Sequence, residues 1–338
     1  MGSETSPRLP FIDFSNVDQN TNDLDWDSTK SRVRQALEEF GCFEASFHNI
    51  SSELRTSLFD SFQQLFDLPM ETKLKNRSMK PFHGYIGQFP TLPLYESMGI
   101  DDATILEKTE SFTKIFWPEG KPELSTAIQE YSSKLSKLDQ MVRRMVLESL
   151  GLEKYMVEHM GSTYYLFRVM KYRRPETNES ELGLKPHTDK SIVTIVHQNQ
   201  VDGLEVQLKS GDWIKFQPSS PNSFVVMIAD IFYAWTNGRI HSPNHRVVMS
   251  GERDRYSISL VALPKAGYVI KAPEEVVDEQ HPLLFKPFDA SEFYQFYGTE
   301  AGQNAECALT TYCVRSHRVA EQRSRFRIRN FGRKQRLS

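Results

Sequence analysis

The stretch from residue 164 to 263 limits the possible folds more than any other part of the sequence. It consists of short runs rich in β-branched and aromatic residues, separated by turn signals rather than by helical patterns. The runs are 164–172, 191–198, 203–208, 213–217, 223–229, 245–249 and 255–263. Seven closely spaced strands without helices between them predict an antiparallel sandwich or barrel, of which the jelly roll is the common closed form.

Helical patterns flank these strands. Apolar residues recur at helical spacing in 28–40, in a segment that begins near Ser51, and after Pro122. The stripe after Pro122 fits a coiled-coil partner helix, but it stops near Leu152, which favours a helix packed across a sheet. A last helical pattern begins near Asp289. We therefore predict a mainly β protein with flanking helices: a double-stranded β-helix (jelly-roll, cupin-like) core buttressed by N-terminal and C-terminal α-helices.

The 338 residues contain no repeat, low-complexity segment or clean linker, so one fold unit is predicted. Its parts are an N-terminal helical and mixed region at 1–155, the jelly-roll core at 156–288, a C-terminal helix at 289–313 and a basic, disordered tail at 314–338. Residues 315–338 hold nine Lys or Arg against one Glu, although the net charge of the whole chain is -3. Such a tail can contact nucleic acid or an anionic membrane, but it is more typical of a solvated extension. The acidic body argues against nucleic-acid binding.

Composition excludes several classes of protein. With 39% hydrophobic and 25% charged residues, the chain is typical of globular proteins, and no apolar run is long enough to span a membrane. Residues 1–25 lack an apolar segment, so neither a secretory signal nor an Arg-rich transit peptide is predicted. Cys42, Cys307 and Cys313 form no disulfide framework or CxxC metal site, which favours a reducing compartment. These observations predict a soluble cytoplasmic protein, with a monomer as the default.

His187 and Asp189 form an H-x-D pair at the start of the second predicted strand. Residues two apart in a strand point to the same face, so the imidazole and the carboxylate can bind one cation. His245, at the start of another strand, is the candidate third ligand. Two histidines and one carboxylate make the facial triad of non-haem Fe(II) sites, which leaves coordination positions open. Taken alone, an H-x-D pair is more often a surface turn.

Arg255 and Ser257 form an R-x-S unit whose side chains share one strand face. An inward Arg beside a metal needs a carboxylate partner, and its planar fork suits the far end of a dicarboxylate, to which Ser257 adds a donor. The alternative is an Arg neutralised by a protein acid such as Glu252 or Asp254. Tyr172, at the end of the first strand, can donate its phenol to the same carboxylate, although taken alone it is more often a core tyrosine.

Together these motifs resemble those of the plant 2-oxoglutarate- and Fe(II)-dependent dioxygenases. The motifs are HTD at 187–189, DGLEV at 202–206, WI at 213–214, AWTNGR at 234–239, NHRV at 244–247 and RYS at 255–257, with LPFIDF at 9–14 and FGCF at 40–43 near the N-terminus. The segments KPHTDK at 185–190, HSPNHRV at 241–247 and PKAGY at 264–268 most resemble the branch of the glucosinolate side-chain dioxygenases, which produce alkenyl or hydroxyalkyl groups. The resemblance covers residues 9–313 and leaves out the basic tail.

The resemblance implies roles for six residues. Those assigned to Fe(II) are His187, Asp189 and His245, and those assigned to the distal carboxylate of 2-oxoglutarate are Arg255, Ser257 and Tyr172. It further implies O2 as second cosubstrate, ascorbate as a supporting reductant, and succinate and CO2 as coproducts. The implied reaction is hydroxylation, desaturation or oxidative dealkylation at an aliphatic C–H of a small plant specialised metabolite. The expected partner is this small molecule, with no nucleic acid and no membrane.

Two other functions stay open. The first is a non-catalytic module that binds a small molecule on the same fold. The second is an Fe(II) oxidase that does not use 2-oxoglutarate, because an R-x-S unit can hold another carboxylate.

The remaining histidines are weaker candidates. The Ser-Pro pair after His241 breaks any helix that would align it with His245, so His241 is predicted to lie in a loop. His197 lies on an apolar strand and is predicted to be a hydrogen-bonded core residue. The histidines without a partner at ligand spacing are His48, His83, His159, His281 and His317.

Overall fold

The computed structural model describes residues 8–17, 24–177 and 179–313, so the basic tail predicted at 314–338 lies outside the described residues. The strands are Phe11–Asp13 (β1), Cys42–Ser46 (β2), Tyr95–Asp101 (β3), Thr163–Tyr172 (β4), Leu182–His187 (β5), Val193–Gln198 (β6), Leu204–Gln207 (β7), Trp213–Lys215 (β8), Ser223–Ile228 (β9), His245–Val248 (β10), Arg255–Pro264 (β11), Val269–Ile270 (β12) and Phe288–Asp289 (β13). The α-helices are Leu24–Glu39 (α1), Ser52–Phe66 (α2), Met70–Lys73 (α3), Leu106–Phe116 (α4), Pro122–Ser149 (α5), Met156–Gly161 (α6), Asp230–Trp235 (α7), Ala290–Tyr297 (α8) and Glu300–Gln303 (α9).

The large sheet has the strand order β1-β2-β9-β6-β11-β4-β3. Its longest pairing joins β11 to β4 antiparallel, from Arg255 opposite Tyr172 to Pro264 opposite Thr163. The N-terminal part of the chain supplies β1 and β2 at one edge and β3 at the other, with β1 and β2 parallel to each other. The segment before residue 156 therefore completes the sheet at both edges.

The small sheet has the strand order β5-β10-β7-β8 and lies against the inner face of the large sheet. Two glycines mark how closely the sheets approach. A Cβ on Gly183 would lie 2.8 Å from the Tyr172 ring, and a Cβ on Gly203 would lie 3.0 Å from Arg255 Cδ. A larger residue at either position would collide with large-sheet side chains, because packed interiors leave no room for an added methyl group.

The main hydrophobic core lies between the outer face of the large sheet and the helices. Helix α5 places its apolar stripe, including Tyr131, against this face. Tyr131 Oη is 2.5 Å from Nδ1 of His197 on β6, whose Nε2 lies 2.9 Å from the Pro221 carbonyl oxygen. This confirms two predictions: the stripe after Pro122 packs across a sheet, and His197 is a hydrogen-bonded core histidine.

All seven predicted strands are present as β4 and β6 to β11, with ends displaced by at most two residues. The prediction that no helix separates them was wrong, because α7 lies between β9 and β10. Six residues are too few to show a helical period. Strand β5 was not predicted, because its Gly183 and Pro186 are typical of turns. No helix in the described part of the chain is long and apolar enough to cross a membrane.

Candidate active site

Strand register brings the three candidate metal ligands together. His187 ends β5 and His245 begins β10, and the two residues are direct cross-strand partners with ring centroids 4.2 Å apart. Asp189 follows two residues later, with Oδ1 3.7 Å from His187 Nε2 and 3.8 Å from His245 Nε2. One ligand atom from each residue lies within 4.8 Å of the others, a spacing at which one cation can contact all three.

Backbone carbonyls orient both imidazole rings. His187 Nδ1 lies 2.8 Å from the Lys185 carbonyl oxygen, and His245 Nδ1 lies 3.3 Å from that of Pro243. With the ring proton on Nδ1, each Nε2 presents its lone pair toward Asp189, the arrangement that metal-binding histidines use. Burial, and next the proximity of His245, lower the pKa of His187 to about 4, so this ring is neutral at neutral pH.

Asp189 supplies the negative charge of this group. Burial opposes its ionisation, but the two histidines and a hydrogen bond from Thr194 outweigh burial and hold its pKa below the ordinary value. Two imidazoles and one carboxylate are the donor set of non-haem Fe(II) sites, so these residues fit that ion. Across residues 8–17, 24–177 and 179–313, no second group of three His, Cys, Asp or Glu side chains reaches this spacing.

A buried ion pair behind the metal group supports the H-x-D turn. Lys190 Nζ lies 2.8 Å from Asp230 Oδ2 and donates to the Thr188 carbonyl at 2.6 Å. Asp230 also accepts from the Thr188 hydroxyl at 3.0 Å and from the Ser242 hydroxyl at 2.9 Å. Its backbone N–H donates to the carbonyl of Asp189 at 2.9 Å. The sequence analysis missed this pair, because Asp230 is forty residues away from Lys190 and carries no local signal.

Arg255 lies deep between the sheets and is 1% exposed. Its guanidinium donates to the Ser257 hydroxyl at 3.1 Å and to the side-chain oxygen of Gln198 at 2.8 Å, and it stands 5.1 Å from the Tyr172 ring centroid. Nε of Arg255 and Nε2 of Gln198 are buried without a hydrogen-bond partner. Gln198 was missed by the sequence analysis, and its position on the inner face of β6 is what brings it here.

Neither acid named as a possible partner, Glu252 or Asp254, forms an ion pair with Arg255. Asp254 lies 3.5 Å from Lys171 Nζ and accepts from the Arg174 backbone N–H. No carboxylate of the described residues, Glu252 included, comes within 4.0 Å of the Arg255 guanidinium. Burial lowers the pKa of Arg255, although Tyr172 and Asp202 act in the opposite direction. A buried guanidinium without a counter-charge is unfavourable, so the pocket is suited to a ligand carboxylate.

Tyr172 presents its hydroxyl to the same space. Burial, followed by the neighbouring Tyr95, raises its pKa, so the phenol stays protonated and can donate. Its partner within the described chain is the Met170 sulfur at 3.9 Å, a weak acceptor. The ring also packs in a buried cluster with Tyr95 and Val247, so Tyr172 is a core residue and a candidate donor together.

Two family models match the chain. The model of the 2OG-Fe(II) oxygenase superfamily matches residues 159–264, and that of the non-haem dioxygenase in morphine synthesis N-terminal region matches residues 9–102. The first range contains the H-x-D pair, His245 and the R-x-S unit.

Whole-chain relatives agree with these matches. The probable 2-oxoglutarate-dependent dioxygenase AOP1.2 of Arabidopsis thaliana is 49% identical over 91% of this chain and 96% of its own length. The 2-oxoglutarate-dependent dioxygenase AOP3 of the same plant is 37% identical over 93% of this chain and 98% of its own. Among solved structures, the complex of A. thaliana dioxygenase for auxin oxidation 1 with 2-oxoglutarate is similar to this chain, with a TM-score of 0.73. The two sequences are 27% identical, and the match covers 81% of this chain and 99% of that protein's chain.

The chain therefore belongs to the 2OG-Fe(II) oxygenase superfamily, in its group of 2-oxoglutarate-dependent dioxygenases. It is an oxygenase that uses Fe(II), 2-oxoglutarate and O2. The predicted double-stranded β-helix with flanking helices is confirmed, and the AOP relatives confirm the branch that the motifs indicated.

Proposed function

We propose that His187, Asp189 and His245 hold Fe(II), and that the enzyme oxidises an aliphatic C–H of a small plant specialised metabolite. One observation carries the proposal: Arg255 is a buried cation with no carboxylate of the described residues within 4.0 Å, and it lies opposite Tyr172, on which the charge of Asp189 also acts. A dicarboxylate that binds Arg255 at one end and the metal at the other satisfies both parts of the site.

In this proposal, Arg255, Ser257 and Tyr172 together bind the far end of 2-oxoglutarate. The Arg255 guanidinium pairs with the distal carboxylate of 2-oxoglutarate, and the Ser257 and Tyr172 hydroxyls donate to the same oxygens. Charge-assisted hydrogen bonds of this kind are among the strongest in proteins, and they fix the orientation of the ligand. Bound Fe(II) supplies O2 activation coupled to the oxidation of 2-oxoglutarate to succinate and CO2.

The substrate class is proposed from the relatives. AOP1.2 and AOP3 are plant dioxygenases, and the dioxygenase for auxin oxidation acts, by its name, on a small plant hormone. A small plant metabolite is therefore the first class to screen. Hydroxylation, desaturation and oxidative dealkylation all begin with attack on a C–H bond, and product analysis distinguishes them.

Anaerobic visible spectroscopy tests the site. Purified protein is titrated with Fe(II) and then with 2-oxoglutarate, and a charge-transfer band is expected. His245→Ala abolishes the band, because one metal ligand is lost. Arg255→Gln needs roughly tenfold to a hundredfold more 2-oxoglutarate, which corresponds to the loss of a hydrogen-bonded charge pair. Arg173→Gln, at a half-buried Arg paired with Glu179 at 2.6 Å, is the matched control and leaves the titration unchanged.

Other outcomes overturn parts of this proposal. Iron binding without a band that responds to 2-oxoglutarate favours an Fe(II) oxidase with a different carboxylate cosubstrate. Absence of iron binding in the wild-type protein favours a non-catalytic binding module. Unfolding curves of each variant distinguish a lost ligand from a lost fold.

We also propose a cytoplasmic monomer that acts without nucleic acid or membrane. Cys42 and Cys307 are free thiols, which is compatible with a reducing compartment. Light scattering of the purified enzyme and a fluorescent fusion in plant cells test the two parts separately. A dimer, or a signal confined to an organelle, contradicts them.

A further inference from the structure

A second arginine lies on the inner face of β4. Arg168, Met170 and Tyr172 alternate along this strand and therefore point to the same side. Arg168 pairs across the sheet with Ser259 on β11 and with Gly99 on β3. Four residues of strand separate it from Tyr172, which is about 13 Å at the usual rise per residue. Arg168 thus faces the same interior as the cosubstrate residues, and its charge also acts on the Tyr172 phenol.

Arg168 is 9% exposed, and its hydrogen bonds go to neutral groups. It donates to the Phe82 carbonyl, to the Ser97 hydroxyl, and to the Tyr95 hydroxyl at 3.3 Å. None of these acceptors carries a charge. The positive charge of Arg168 therefore has no compensation from its contacts.

The other buried cations of the described chain show that this is unusual. Lys73 pairs with Glu96 at 2.5 Å, Arg143 with Asp139 at 2.7 Å, and Lys190 with Asp230 at 2.8 Å. The two buried cations with no carboxylate within 4.0 Å, in the part of the chain that the structure describes, are Arg168 and Arg255. Both lie on the inner face, on either side of the Tyr95–Tyr172 ring pair, whose centroids are 5.2 Å apart. The cosubstrate accounts for Arg255 and leaves Arg168 unexplained.

Two tyrosines of helix α8 lie near the metal group, and one of them also lies near Arg168. Burial raises the pKa of Tyr294, a residue of α8, and the charges of Arg168 and Asp189 both act on its phenol. The ring centroid of Tyr297, one turn later, lies 4.9 Å from Lys190 Nζ. Burial, and next the charge of Asp189, raise the pKa of the Tyr297 phenol. Tyr294 therefore lies near both the metal ligand Asp189 and the buried cation Arg168.

A buried histidine beside Arg168 also has an unused hydrogen-bonding atom. His83 is 3% exposed, follows the residue whose carbonyl accepts from Arg168, and packs against the Tyr294 ring at a centroid distance of 5.8 Å. Its Nδ1 is hydrogen-bonded to Asp101, and its Nε2 has no partner. The sequence analysis had set His83 aside, because Asp101 is eighteen residues away.

We propose that Arg168 binds an anionic group of the prime substrate, a carboxylate or a sulfate, with His83 Nε2 as an accessory contact. This inference rests on the proposed function, because it places the oxidised C–H between the metal group and Arg168. An anion is the ligand that compensates a buried guanidinium, and the planar fork of Arg matches both carboxylate and sulfate oxygens.

Matched acid and neutral ligands test the proposal on the wild-type enzyme. Anaerobic calorimetry on the protein loaded with Fe(II) and 2-oxoglutarate uses indole-3-acetate against indole-3-acetamide, phenylacetate against phenylacetamide, hexanoate against hexanamide, and hexyl sulfate against hexanol. We expect at least one anion to bind tenfold or more tightly than its neutral counterpart. The carboxylate and sulfate pairs show which anion is preferred. A lack of preference in every pair, through equal binding or through no binding, overturns the proposal.

Variants then assign the preference to Arg168. Arg168→Gln is expected to reduce the preference for the anion over its neutral counterpart below about threefold. Arg168→Lys is expected to keep most of this preference, and Arg173→Gln all of it. A preference that survives Arg168→Gln overturns the assignment. If Arg168→Gln instead raises the 2-oxoglutarate requirement in the visible titration, Arg168 belongs to the cosubstrate site and the proposal is wrong. Absence of the visible band in the wild-type protein would contradict the proposed function itself. The band is recorded on the same samples before calorimetry, so the two failures are distinguishable.

Discussion

At the scale of single residues, the inner face of the large sheet combines donors with a deficit of negative charge. Arg255 and Ser257 on β11 and Tyr172 on β4 are brought together by the register that sets Arg255 opposite Tyr172. The Tyr172 phenol has a sulfur as its partner, so it gives up little when a ligand oxygen takes its place. A hydrogen bond to a charged group is worth about 1.5–3 kcal/mol, which is large for one hydroxyl.

Tyr172→Phe is therefore expected to weaken 2-oxoglutarate binding by about tenfold or more while Fe(II) binding stays unchanged. The anaerobic band titration measures both quantities. Tyr256→Phe is the control, because Tyr256 lies next to Arg255 but on the opposite face of β11, against the helices. Equal 2-oxoglutarate affinity in Tyr172→Phe and the wild type would mean that the tyrosine serves packing alone.

The site residues that could be predicted are those with a local pattern. Arg255 and Ser257 are two residues apart in β11, so alternation alone places them on one face. His187 and Asp189 have the same spacing, but the prediction that both belong to the start of one strand was wrong, because His187 ends β5 and Asp189 lies in the turn after it. Lys190, Asp230 and Arg168 could not be assigned in this way. Their roles depend on which charges lie nearby after folding, and single charged residues carry no such information in sequence.

At the scale of elements, β5 and the short helix α7 position the metal ligands. The turn after β5 carries Asp189, and the N-terminal end of α7 carries Asp230, which bonds to that turn through Lys190 and Thr188. Neither β5 nor α7 was predicted, whereas the long apolar stripe of α5 and the β-branched strands were. Predictable elements are those that show a regular apolar pattern over enough residues. Strand β5 contains Gly183 and Pro186, which are typical of turns, and α7, although mostly buried, has only six residues.

Lys190→Met tests this polar support. Loss of one partner leaves the Asp230 carboxylate buried without its cation, so we expect the free energy of unfolding to fall by about 3–5 kcal/mol. Fe(II) affinity is expected to fall by roughly tenfold to a hundredfold, as for other groups that orient metal ligands. Urea unfolding and anaerobic Fe(II) titration measure the two effects.

The double variant Lys190→Met/Asp230→Asn is the control for the charge. It removes both charges and is expected to recover a substantial part of the lost stability, because a neutral amide is less unfavourable to bury than a lone carboxylate. Unchanged iron affinity in Lys190→Met would show that the pair stabilises the fold without positioning Asp189.

At the scale of the whole molecule, buried neutral histidines link stability to pH. Burial lowers the pKa of His197 to about 4 and holds that of His159 well below 6.5, with Arg143 contributing to the second shift. Both histidines lie in the layer between the large sheet and the helices.

The division of the chain at 155/156 and 288/289 stays a prediction, but this layer is continuous across the first boundary, because α5 packs on β6.

His159 is the better test of this linkage, because neither ring nitrogen has a hydrogen-bond partner to lose. Its ring stacks on Phe232 and Trp235 at centroid distances of 5.0 Å and 4.6 Å, so His159→Phe preserves the packing. The unfolded chain protonates this histidine below about pH 6.5 and the folded chain does not, so its contribution to stability is lost as pH falls. We expect His159→Phe to gain about 1.4 kcal/mol relative to wild type between pH 7.5 and pH 5.5, measured by urea unfolding. An identical pH dependence of stability in His159→Phe and in the wild type would show that His159 is protonated in the folded state.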